Sequence, residues 1–129
     1  MKKLNEALDL VMQVALVKKR MLGVPMPLLS EVREYSLVIL AWLSDSNHPW
    51  RWLGDMKDGI ISDCKGNDDD APPEIKFECA LSALRIAGLV ICSTDTIRYP
   101  GLDEPVVTSI HYALSGTLDS TSEDVYFNN

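Results

Sequence analysis

Phe77-Glu-Cys-Ala-Leu-Ser-Ala-Leu-Arg-Ile-Ala-Gly-Leu-Val90 is the stretch on which the fold turns. Phe77, Ala80, Leu81, Leu84 and Gly88 recur at helical spacing and so share one face. Gly88 closes the helix, and Leu89-Val-Ile-Cys92 follows at once with the composition of a strand. A helix packed through one stripe therefore runs directly into a β-hairpin.

Working towards the N-terminus, Ser62 to Pro73 is rich in Gly, Asn, Asp and Pro and reads as a solvated acidic loop. Pro49 suits the first position of a helix over Trp50 to Asp58, with Gly59 as its stop and Ile60-Ile61 as a short strand. Ser30 is placed to cap a helix over Glu31 to Leu43, with Val32, Tyr35, Ile39 and Trp42 facing the core. Gly23-Val-Pro-Met-Pro27 breaks the chain before it. Lys3 to Leu22 reads as a first helix, with Leu4, Leu8, Val11, Ala15 and Leu22 on one face. Leu10, Val14, Leu16 and Val17 widen that stripe almost all round, which calls for a homodimer through this helix. Towards the C-terminus, Leu89 to Asp95 and Val106 to Leu114 form the hairpin, the second with alternating burial. Residues 96 to 105 are its loop. Residues 117 to 129 read as a loosely held acidic tail.

The order of four helices and a two-stranded wing resembles a winged helix-turn-helix domain, over about residues 30 to 116, with an added N-terminal helix at 1 to 22. The fold expected is mainly α with a small β-hairpin (α+β), as one domain over 1 to 116. The acidic insert before the last helix departs from the compact motif.

Length and composition fit one domain with a real core: 129 residues, 47% hydrophobic and 24% charged. No apolar run reaches the ~18 residues a membrane span requires. Met1-Lys-Lys-Leu-Asn5 resembles a secretory start, but Glu6 and Asp9 interrupt it, so the cytoplasm is the expected location. Cys64, Cys79 and Cys92 make no close pair, and His48 and His111 stand apart, so no metal or other cofactor is expected. No nucleophile elbow or phosphate-cradling loop occurs, and the expected protein is not an enzyme.

Net charge is −7 and unevenly spread. Five basic residues against two acidic lie in residues 1 to 20, with Lys18, Lys19 and Arg20 in the last helical turn. Asp68, Asp69, Asp70 and Glu74 stand beside the helix that a winged-helix reader would push into a DNA groove. With the core stripe inward, Ile75, Cys79, Ser82 and Ile86 line that helix's outer side. Such a face serves a protein partner better than base edges, unless the N-terminal helix or the tail covers it. Trp42, Trp50 and Trp52 read as a tryptophan-rich core between the second and third helices.

Two functions follow. The first is a small acidic regulator or inhibitor that binds another protein through Ile75, Cys79, Ser82 and Ile86, compatible with a phage or mobile-element setting. The second, implied by the winged-helix resemblance, is a DNA-binding transcription regulator with Lys76, Arg85, Arg98 and Tyr99 as its contacts.

Overall fold

The computed structural model describes residues 3–22, 29–45, 47–64 and 72–116. The linker at 23–27, the Asp68–Asp70 run, the side chains of Lys18, Lys19, Arg20 and Leu22, and the tail at 117–129 lie outside the described residues. Seven elements follow in chain order: α1 (Leu4–Leu22), α2 (Leu29–Leu43), β1 (Arg51–Trp52), α3 (Leu53–Asp63), α4 (Pro73–Ile86), β2 (Val90–Ile97) and β3 (Val106–Leu114). The protein is α+β, with four described helices and an antiparallel sheet in the order β1-β3-β2.

α4 is the hub and packs against α1, α2 and α3. Its start needs no side-chain cap, because Pro72 is extended and Pro73 sits where a missing N–H costs nothing. Its end is a Schellman motif. Gly88 N–H donates to the Arg85 carbonyl at 3.0 Å, and Leu89 N–H to the Leu84 carbonyl at 3.0 Å. Gly88 has φ 82°, which a side chain would disfavour. The glycine read as part of the core stripe is thus an exposed turn residue. Leu84 and Leu89, brought together by that turn, are both buried.

Phe77, Ala80, Leu81, Ala83 and Leu84 of α4 are buried with Leu4, Ala7, Leu8, Val11 and Ala15 of α1 and with Val32, Tyr35, Ile39, Leu40 and Leu43 of α2. The expected inner faces therefore hold at Leu4, Leu8, Val11 and Ala15 of α1, at Val32, Tyr35 and Ile39 of α2, and at Phe77, Ala80, Leu81 and Leu84 of α4. α2 begins at Leu29, so Ser30 is its second residue and not its cap.

The third helix differs from its expected span. Arg51–Trp52 is a strand paired with Tyr112 and His111, and the helix begins after it and runs through Gly59 to Asp63. Ile60, expected in a strand, is a fully buried helical residue. Arg51 fixes the approach to β1: its guanidinium meets Asp45 at 3.2 Å, donates to the Trp42 carbonyl at 3.4 Å, and covers the Trp42 ring at 5.0 Å. The expected hairpin is therefore two strands of a three-stranded sheet.

β2 and β3 pair from Val90↔Leu114 to Ile97↔Val106, with a bulge where Asp95↔Ser109 is followed by Thr96↔Val107. Thr108 is the extra residue, and its hydroxyl donates to the Asp95 carbonyl at 3.1 Å. Burial ends early along both strands. Val90, Tyr112 and Ala113 are buried, whereas Ser93 to Ile97 and Val106 to Thr108 are exposed, so the hairpin projects beyond the core.

Candidate functional site

α4 shows solvent two different surfaces. Ile75 and Ile86 are 38% and 60% exposed, Cys79 between them is half-buried, and Glu74 is exposed. Ser82 belongs elsewhere. With Glu78, Arg85 and Tyr112 it lines a cavity of about 230 Å³ between α4, α3 and β3. The four residues read as one outer stripe are thus divided between an apolar edge and a groove whose largely apolar floor is flanked by charged side chains.

The groove holds one ion pair and one cation–ring contact. Lys57 Nζ of α3 lies 3.3 Å from Glu78 Oε1, and the Arg85 guanidinium lies 5.9 Å from the Tyr112 ring centre. Burial, followed by the neighbouring Cys92 thiol, pushes the Tyr112 hydroxyl above its ordinary pKa, while Arg85 pulls against that rise.

Lys76 corrects the expectation for a nucleic-acid contact. It is 2% exposed, and its ammonium lies 2.5 Å from Glu31 of α2 in the interior. A helix position that faces the core buries whatever side chain it carries, and a lysine there persists only with a carboxylate beside it. Arg85 is at the surface but engaged with Tyr112, and Arg98 and Tyr99 are exposed near the hairpin tip.

Sequence reasoning missed the apolar character of the projecting hairpin. Ile97, Tyr99, Leu102, Val106 and Val107 are 41 to 52% exposed. Trp50 and Trp52, expected in a core, are 45% and 50% exposed; Trp42 alone of the three is packed against it. Alternation along β3 was the available signal, but it could not say that the core ends before Val106. A shallow cavity of about 330 Å³ lies between Trp52, Lys57 and the Val107 end of β3. Asp95, the acid on β2, accepts a hydrogen bond from Ser109 Oγ at 2.8 Å and has His111 Nδ1 at 3.8 Å.

α1 already buries Leu4, Ala7, Leu8, Val11 and Ala15 within the protomer, which leaves Val17, 52% exposed, as its most exposed described apolar residue. Among the described residues no group of His, Cys, Asp and Glu could hold a metal ion, and no helix is long and apolar enough to cross a membrane. In comparisons with known proteins, no family model, curated protein or solved structure matches the chain.

Proposed function

We propose that this protein is a non-enzymatic regulator or inhibitor that binds another protein, on a scaffold of winged-helix type. The scaffold reading is supported by the α2-β1-α3-α4-β2-β3 order and by the central place of β3 in the sheet. The observation that carries the function is the surface of the hairpin. Its exposed side chains include Ile97, Tyr99, Leu102, Val106 and Val107, and between Val90 and Gly116 there is one Arg against two Asp and one Glu. A phosphate-gripping wing needs the reverse balance. An apolar surface rimmed by charge suits a protein interface. Ile75 and Ile86 on α4 extend the apolar contacts, and the cavity between Trp52 and Val107 can take an inserted side chain.

The test is in-cell crosslinking in the host that makes the protein, with Val107→Asp and Ile86→Asp as paired variants. A partner recovered in stoichiometric amount by the parent and lost by both variants supports the reading. Duplex DNA bound tightly at ~0.15 M salt, with a steep salt dependence, replaces it with DNA recognition, since such a slope requires several phosphate contacts.

A further inference from the structure

We infer that the outer edge of β2 pairs with the same edge of a second copy, giving a homodimer with a continuous antiparallel sheet across its two-fold axis. β2 is an edge strand of eight residues, Val-Ile-Cys-Ser-Thr-Asp-Thr-Ile, and among the described residues no strand covers its outer side. It has few of the usual protections of an edge: it is not short, it carries no Lys and no Pro, and its one charged residue is Asp95. Its bulge partner, Thr108, is on β3, so β2 itself keeps an unbroken alternation.

That alternation sets which backbone groups are available. The Asp95 carbonyl accepts from Thr108 and so faces β3. The N–H and C=O groups of Cys92, Thr94 and Thr96 then face outward, because successive residues along a strand direct these groups to opposite sides. A two-fold axis at Thr94 pairs Thr94 with its own copy and Cys92 with Thr96 of the second copy, each pair exchanging both hydrogen bonds.

Side chains select the same register. With the axis at Thr94, Ile91 lies opposite Ile97 of the second copy, and Ser93 lies opposite Asp95. Ile91 and Ile97 are 45% and 46% exposed in the protomer, and this pairing covers each with the other. A slip of two residues one way sets Asp95 against Asp95, and the other way sets Asp95 against Ile91. Odd slips put paired side chains on opposite faces of the sheet. The strand is thus complementary to itself in one register.

Sedimentation equilibrium from ~1 to ~100 µM tests the dimer, whose population must rise with concentration. Thr94→Pro removes an outward N–H without touching the ladder to β3, and should leave a monomer at every concentration with unchanged helical circular dichroism. Thr94→Cys should form a disulfide-linked dimer on mild oxidation, because Cα atoms of a hydrogen-bonded pair lie about 5.5 Å apart, within disulfide reach. Ser93→Cys, placed opposite Asp95, should not. A parent that stays monomeric overturns the inference, as does crosslinking of Ser93→Cys as readily as Thr94→Cys. A dimer that survives Thr94→Pro but is lost in Val17→Asp overturns it too, and assigns the interface to α1.

Discussion

Trp42 occupies the space that a side chain at Gly59 would need. A Cβ built on Gly59 falls 2.2 Å from Cη2 of the Trp42 ring. The ring cannot swing aside freely, since its N–H donates to Asp63 at 3.3 Å and the Arg51 guanidinium covers it. Gly59 is therefore a helical residue chosen for close packing of α2 on α3, although a glycine in a helix interior is unfavourable by ~1 kcal/mol relative to alanine. Gly59→Ala should destabilise the fold by ~1–3 kcal/mol in spite of its better helix propensity. Urea denaturation followed by circular dichroism measures this, and a stabilised variant would contradict the packing.

Lys76 and Glu31 should behave as a unit. Lys76→Ala leaves a carboxylate buried without its cation, and a loss of ~3–5 kcal/mol is expected. The double change Lys76→Met, Glu31→Leu should recover most of that loss, because two apolar side chains of similar size avoid the desolvation of both charges. A double-mutant cycle from denaturation curves reads the coupling directly.

Cys64 should be a slow thiol and a pH-sensitive one. Burial, then the nearby Glu34 and Asp63 carboxylates, push its pKa up from 9.0 to about 11. The stabilising form is the neutral thiol, so its contribution is complete below pH ~9 and is lost as pH rises through about 11. Tyr35, whose hydroxyl donates to the Cys64 carbonyl at 3.2 Å, and Tyr112 are also raised and add losses at high pH. Thermal melting between pH 8 and 11 should fall less steeply in Cys64→Ala than in the parent. Iodoacetamide at pH 8 should modify Cys64 only through unfolding.

Leu84 and Ile86 stand two residues apart on α4 and should respond oppositely. Leu84 is fully buried, and Leu84→Ala should cost ~2–5 kcal/mol by opening a cavity. Ile86 is 60% exposed, so Ile86→Asp should change stability by no more than ~0.5 kcal/mol. Comparable melting shifts for the two would mean that α4 is rotated from the orientation described.

α1, α2, α4 and β3 were legible in the sequence because each carries its own periodicity. The boundary of α3 was not. Pro49 and Gly59 look like a start and a stop, yet Pro49 precedes a strand and Gly59 accommodates Trp42 inside the helix. β1 is two residues long and exists through its pairing with Tyr112 and His111, about sixty residues away, which no local pattern reports. The burial of Lys76 was hidden for the same reason: its partner Glu31 is on another helix. For the candidate surface, Ile75 and Ile86 were readable as outward positions. Ser82 was not, because its neighbours Lys57 and Tyr112 come from α3 and β3.

β3 lies between β1 and β2 and, among the described residues, is also the last strand in the chain order. During synthesis the helices can therefore gather while both outer strands wait, and the sheet closes only once residues 106 to 114 have left the ribosome. Closing β1 onto β3 spans a long loop, whose entropy must be met after the local helical contacts have formed. A nascent chain stalled before Val106 would carry β2 open on both edges, which makes the interval before β3 emerges the period of greatest exposure to misassociation.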